Sequence, residues 1–576
     1  MRSTFAGLNT MVRGIQNNQL SLDTTGHNIT NASTEGYSRQ RVDSAATNYQ
    51  ERPSLYGGVY VGGGVDVVAL NRARNVYADK QYWSENSTQN LYQTYKTNYD
   101  KVETIFNDSK KTGVLNAMQQ FYSAWVNLSN YASDSASRTS VIAKGNNLID
   151  RIKTNARQLQ SQIESQYEEM RIQVGKVNGL TKEIARLNKN ILFAEANGGK
   201  ANDLRDQRDL LVDKLSEITN VNVYEEANGQ YTVVSNGMSL VQRESSLTLE
   251  MSEPINNKQY GLTDYTLRIK EAGGIGYVPQ SGILKALQDT IVQDKGHIDQ
   301  LADISATLLT TFNDVHKLGA GIDNDTTNGP TTWLNFFGKN KFKSETGTTY
   351  DQMQYTWHID PLTGERYMEA AGATLTRTAG PPGEMTVQTN VTGSPDRLQS
   401  MQIINALKIA DELTEPGGQN LVAARQITKA DGTKVVPTAL SGTGSTYKYK
   451  FSEVNGTGDG TMAVELSKLF NIDKAGTMNP RGTERAVSDV SINQYYNSMM
   501  SKLGADAENI DKTLKQQDDL MTQIEQWRQS TSGVDWNEEL TNMLKFQTGY
   551  GACSRVLTSM DEMLDRLINS TGVVGR

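Results

Sequence analysis

Phe5-Ala-Gly-Leu-Asn-Thr-Met-Val-Arg-Gly-Ile-Gln-Asn-Asn-Gln-Leu-Ser-Leu-Asp-Thr-Thr-Gly-His-Asn-Ile29 sets Phe5, Leu8, Val12, Ile15, Gln19, Leu22, Gly26 and Ile29 at alternating three- and four-residue steps. That spacing lays one stripe along a helix, as in a coiled-coil seam. From Met1 to Thr34 the only charged side chains are Arg2, Arg13 and Asp23. A helix facing water fills its outer side with Lys, Glu and Arg. One carrying Asn, Gln, Ser and Thr suits a position among other helices. The spacing returns at the other end, in Leu540, Met543, Gln547, Tyr550, Ser554, Leu557, Asp561, Leu564 and Ile568. Chain ends usually fray, so two seams placed there predict a structure completed in an assembly. Gly7, Gly14, Gly26, Gly549 and Gly551 lie inside these helices, and each costs roughly 0.5–1 kcal/mol relative to Ala. The terminal pair is therefore expected to be marginal alone.

Between the ends the pattern changes several times. Asn28 to Gln40 is dense in Asn, Ser, Thr and Gly and should turn. Residues 38–70 read as extended, with a Gly-rich hairpin at 56–64. Helical periodicity covers Arg72–Asn107, Gly113–Tyr131 and Ser135–Ala196, the last ended by Asn197-Gly-Gly. Unbroken, it would be about 90 Å long at 1.5 Å per residue. Asp203–Thr219 is a further helix. Residues 221–280 alternate, with tight turns at Asn228-Gly229 and Asn236-Gly237. The helical seam from Ser281 to His316 has two polar interruptions, Asp294 and Ser305. Residues 320–482 are rich in Gly, Thr, Asn and Asp, with helical period only near Arg397–Leu413. Helices are expected again over Ser488–Ser530 and Asp535–Ile568, the latter opening on a capping box of Asp535 and Glu538. The expected class is α+β multidomain: a terminal α-helical coiled coil, a long-helix bundle with small β-hairpins, and outer β-rich domains. Its parts are 1–34 with 536–576, 35–320 with 483–535, and 321–482.

No catalytic constellation emerges. The 576 residues carry a net charge of −8, which disfavours a nucleic-acid partner. No apolar run is long enough to span a membrane, and the first 30 residues lack the apolar core of a cleaved signal peptide. The single Cys553 forbids an intrachain disulfide and reads as a small packing residue. The histidines His27, His297, His316 and His358 show no zinc spacing. Asp323–Gly329 has a calcium-like Asp-x-Asp, but Leu334 stands where the glutamate ligand is needed. The tyrosines between Tyr77 and Tyr131 read as helix packing. No catalytic, metal or cofactor residues are assigned, and the chain reads as a non-enzyme.

Asn28, Asn31, Thr34, Gly36 and Tyr37, with Arg39 after them, resemble the N-terminal signature of the bacterial flagellar axial proteins, which form the rod, hook and hook-associated parts. Ser38-Arg39-Gln40 is closest in form to the members at the hook–filament junction. Ser532-Gly-Val-Asp-Trp-Asn-Glu-Glu-Leu540 through Ile568 is similar to the C-terminal stretch of that family, and Asn313–Gly321 to a middle stretch. The resemblance implies a structural subunit, exported uncleaved through the flagellar type III apparatus and placed outside the cell in the flagellum. Its seams, Phe5, Leu8, Val12, Ile15, Leu22 and Ile29 with Leu540, Met543, Tyr550, Leu557, Leu564 and Ile568, would assemble a ring. Implied partners are copies of itself, the hook protein, a second junction protein and an export chaperone at the C-terminal helix. No nucleic acid or membrane is implied. A different reading is an exported surface protein with adhesive or hydrolytic activity in 321–482.

Overall fold

The computed structural model describes residues 6–47, 50–52, 59–106, 112–323, 333–342, 349–359, 366–379, 384–429, 445–450, 456–471 and 491–570. Helix α1 (Ala6–Asn31) leads into β1 (Gln40–Ala46), β2 (Gln50–Arg52), β3 (Val59–Val61) and β4 (Val65–Arg72). β1 pairs antiparallel with β4, and β2 with β3, so the expected hairpin is a long two-tier ribbon. Helices α2 (Val76–Phe106), α3 (Val114–Asn130), α4 (Ser135–Glu195) and α5 (Asn202–Ile218) follow.

α4 runs 61 residues without a break. Its apolar line from Val141 through Leu159, Ile163 and Val177 to Ile191 is buried. Gly175 and Gly179 do not interrupt it. Asp134 caps its first turn, accepting from the amides of Ala136 and Ser137. Beyond its end Gly198 takes φ +85°, as a helix-stopping glycine should.

A four-stranded antiparallel sheet packs beside α4 and α5: β5 (Asn222–Glu225), β6 (Tyr231–Ser235), β7 (Met238–Gln242) and β8 (Ser245–Ser246). Its turns fall at the two Asn-Gly pairs, and Asn236 and Gly237 both have positive φ. Short strands β9 (Leu249–Met251), β10 (Ile255–Asn257), β11 (Leu262–Asp264), β12 (Leu267–Ile269) and β13 (Ile275–Gly276) complete this middle region.

Helix α6 (Ile283–Thr307) passes into a π-helical turn over Leu308–Phe312 and then α7 (Asn313–His316). The sequence pattern gave one uninterrupted helix here. After β14 (Gly319–Ala320) come β15 (Asn340–Phe342), β16 (Thr349–Ile359), β17 (Arg366–Ala379) and β18 (Glu384–Leu398), then α8 (Ser400–Ala406), α9 (Asp411–Thr414), β19 (Arg425–Gln426), β20 (Thr428–Lys429), β21 (Ser445–Lys450) and α10 (Thr461–Asn471). Strands β15-β16-β17-β18-β21-β20 form one antiparallel sheet in that order. The connecting pieces do not stay with the sheet. Phe336, Phe337, Ile403, Leu413, Met462 and Phe470 are buried in the same cluster as Phe121, Trp125 and Phe312 of the helical bundle. The chain closes with α11 (Ile492–Ser532) and α12 (Trp536–Ser570). The class is α+β and multidomain, with long helices and several small antiparallel sheets.

Asp535 caps α12 by accepting from the amides of Asn537 and Glu538 at 2.8 and 3.3 Å. The reciprocal half of the expected capping box does not form, because the Glu538 carboxylate turns to Arg39. Residues 324–329 of the calcium-like segment lie outside the described residues. No group of three or more His, Cys, Asp or Glu that could hold a metal occurs among the described residues. No helix among them is long and apolar enough to cross a membrane.

Candidate functional site

The first and last helices lie against each other. Modest helix formers on their own, they meet through a set of paired notches. A Cβ on Gly7 would stand 2.5 Å from Met560 Cε, and one on Gly14 would stand 3.0 Å from Cys553 Sγ. One on Gly549 would stand 2.7 Å from Asn18 Oδ1. Asn28 Nδ2 donates to Glu539 Oε2 at 3.1 Å. In all four pairs the two residue numbers add to the same total, so the helices run antiparallel in one ungapped register. Small residues recur on α1 every seven positions, at Gly7, Gly14, Ser21 and Asn28. Bulkier ones recur on α12 at Glu539, Phe546, Cys553 and Met560. This is heptad packing with the small partner on one helix.

A second side of α1 rests on the β1–β4 hairpin. Arg13 pairs with Asp66, Ser44 donates to Asn17, and Thr10 Oγ1 donates to Gly63 O at 3.3 Å. With 3.6 residues per turn, the apolar stripe then falls on the remaining side. Leu8, Ile15, Leu22 and Ile29 are half-buried and Val12 is exposed. Phe5 lies outside the described residues. On α12, Met543, Leu557 and Leu564 are half-buried near the α1 contact, while Leu540, Tyr550 and Ile568 are exposed. Leu544 and Met563, which the spacing did not mark, are 65% and 61% exposed. The helix-to-helix line is thus shifted by one residue from the apolar stripe on α1, and the stripe itself is left only partly covered.

The signature residues gather where the terminal pair joins the bundle. Asn28, 1% exposed, uses all four of its side-chain hydrogen-bonding positions. Its Oδ1 accepts from the Tyr37 hydroxyl at 2.8 Å and the Gln40 amide at 2.9 Å. Its Nδ2 donates to Gln40 O at 2.9 Å and to Glu539. Asn31 Nδ2 donates to His27 O, and Thr34 Oγ1 to Asn31 Oδ1, which shape the turn. Gly36 has φ +77°, and a Cβ there would press on Leu210 of α5. Burial, reinforced by Asp203 and Asp206, raises the Tyr37 hydroxyl well above its usual pKa. Arg39 Nε donates to Glu539 Oε1 at 2.7 Å, and Nη2 to Glu538 Oε1 at 2.6 Å. Burial works against the Arg39 charge, but the two carboxylates outweigh it and raise its pKa. Ser38 N donates to Asp206, and Gln40 Nε2 to Asp203, both on α5.

Beneath this junction is a buried ion network that composition did not disclose. Arg72 meets Asp206 and Asp209 at 2.7 and 2.9 Å, and Arg74 meets Asp79 and Asp209 at 2.7 and 2.8 Å. Arg528 of α11 meets Asp79 and Asp213 at 2.8 Å each, and Trp83 Nε1 donates to Asp213. Burial pushes the Asp213 carboxyl up despite Arg528 and Arg74. The network binds β4, α2, α5 and α11 into one base.

Residues 99–331 match the model of the flagellar hook-associated protein FlgK helical domain, and residues 525–570 that of the flagellar basal body rod FlgEFG protein C-terminal region. The fold is similar to the solved flagellar hook junction protein FlgK from Burkholderia pseudomallei, with TM-score 0.52, 18% identity, 79% of this chain covered and all of that one. These matches liken the chain, a long-helix bundle with paired terminal helices, to the flagellar axial proteins of the hook-associated class. The particular protein that the chain resembles from end to end is flagellar hook-associated protein 1. The Bacillus subtilis (strain 168) protein of that name is 25% identical with both chains fully covered, and that of Salmonella typhimurium is 25% identical over 98% of this chain and 99% of its own. That of Escherichia coli K12 is 24% identical over 98% and 99%.

Proposed function

We propose that this chain is a structural subunit of the bacterial flagellum that joins hook to filament, and that it acts without catalysis. Its relatives of matching length carry the name hook-associated protein 1. The observation that carries the physical side of the reading is the uncovered apolar surface of the terminal pair. Val12, Leu540, Leu544, Met563 and Ile568 face water in the single chain, on helices whose contact with each other uses Gly, Ser and Asn. Apolar residues left outside a packed pair are available to neighbouring copies. In this reading 1–34 with 536–576 forms the assembling part, 35–320 with 483–535 the supporting bundle, and 321–482 the outer part. Copies of the chain form a ring, the hook protein and a second junction protein adjoin it, and a chaperone covers the C-terminal helix before export. Deletion of the chain should leave hooks intact while filaments detach into the medium, as seen by electron microscopy. Filaments that stay on their hooks in the deletion strain would overturn the reading.

A further inference from the structure

Arg39 is in contact with three elements at once. Its amide donates to Ser532 O, in the last turn of α11, at 2.9 Å. Its carbonyl accepts from Ala73 N, just past β4, at 2.8 Å. Its guanidinium holds Glu538 and Glu539, in the first turn of α12. Glu539 is 2% exposed and takes its second hydrogen bond from Asn28 near the end of α1. The chain enters and leaves the terminal pair through 32–39 after α1 and 533–535 between α11 and α12, and α1 also rests on the β1–β4 hairpin. Gly533 sits in the second of these. Two acidic residues in the first turn of a helix are favourably placed by the helix dipole, so α12 offers a fixed anchor to a single cation. A buried carboxylate that loses its guanidinium is destabilised, and moving the helix start away from the bundle gives it water.

We propose that Arg39 is the positioning residue that sets the angle at which the α1–α12 pair leaves the bundle, by clamping the first turn of α12 to the end of α11. The proposal rests on the junction-protein reading for its biological consequence, but its geometry does not. With the clamp closed, every copy presents its apolar terminal surface in one orientation. With it open, the pair and the β1–β4 hairpin that α1 rests on swing as a unit about the hairpin base at Gln40 and Arg72 and about 533–535, while the notched contact between the two helices persists.

The test uses the full chain with Cys553→Ser and spin labels at Lys176→Cys on α4 and Arg555→Cys on α12, both exposed positions. The parent should give a narrow interspin distance distribution, Arg39→Gln a distribution at least twice as broad, and the charge-keeping Arg39→Lys a narrow one again. Thermal unfolding of the bundle should be the same in all three. A distribution that stays narrow in Arg39→Gln would sink the clamp. In cells, Arg39→Gln should raise the count of detached filaments at least several-fold, and Arg39→Lys should not. A swinging pair with filaments firmly held would overturn the link from angle to assembly. Filaments held even when the whole chain is deleted would instead overturn the junction reading.

Discussion

Asp294 shows what a single side chain can impose on this bundle. It lies on α6 with no solvent exposure, accepting from Asn98 Nδ2 of α2 at 3.1 Å and Gln166 Nε2 of α4 at 2.8 Å. Burial raises its carboxyl from the usual 3.8 to about 6. Because the folded pKa is the higher one, its stabilising contribution is complete below about pH 4 and is lost as pH rises through about 6. Asp294→Asn removes the titration. The stability of this variant relative to the parent should therefore climb by on the order of 2 kcal/mol between pH 4 and pH 7. Urea unfolding at several pH values reads that slope, and a flat difference would show that Asp294 carries no such strain. His316 illustrates the opposite case. Burial drops it to about 4, and its two ring nitrogens bond Leu334 O and the Ala423 amide, so it is a neutral brace at ordinary pH. The sequence marked Asp294 as a break in an apolar line and marked His316 within a familiar stretch. It could not name their partners, which come from distant helices for Asp294 and from non-helical segments at Leu334 and Ala423 for His316.

At the scale of elements, periodicity served best where apolar side chains make the contact. α4 was legible because large apolar residues recur along its buried line and Asn-Gly-Gly stops it. The two Asn-Gly hairpins were legible from turn chemistry. The α1–α12 contact was misplaced by one residue because Gly, Ser and Asn make it, and an apolar count passes over them. The π-turn at Leu308–Phe312 left no mark in the pattern. It is held from outside by Asn313, whose side chain bonds the backbone of Phe336 and Phe337. The glycines now divide into two kinds. Gly26 and Gly551 would meet nothing within 4 Å of an added Cβ, so Gly26→Ala and Gly551→Ala should each stabilise the isolated chain by about 0.5–1 kcal/mol. Gly14 faces Cys553, so Gly14→Leu should push the two helices apart and expose their amides. Hydrogen exchange of α1 and α12 distinguishes the outcomes: slower for the first two variants, markedly faster for the third.

For the whole molecule, the nested layout was legible: helices at both ends, strands between, and ends that meet. The sequence set 321–482 apart as an outer part, and the packing of pieces of it into the bundle was not legible. Phe336, Phe337, Met462 and Phe470 sit in segments whose Gly, Thr and Asn content hides them, yet they pack against Phe121 and Phe312. Two expectations belong at this scale. Leu544→Asp adds a charge where the single chain is already open to water, so its thermal unfolding should match the parent within about 0.5 kcal/mol. Filament attachment should nevertheless fail, and normal attachment would mean that this side of α12 stays uncovered in the assembled particle. Limited proteolysis of the isolated chain should trim about the first 35–70 and the last 40 residues and leave the bundle, because the end helices have few buried apolar contacts.

Asn28 and Glu539 are 511 positions apart along the backbone. A loop of that span closes late, since nearly all other contacts reward the chain sooner. Helix α1 is made long before α12 and has no mate until α12 arrives. A product cut short between α11 and α12 keeps the residues of its interior but never acquires the mated helices, so this one pairing reports that synthesis has passed through α12.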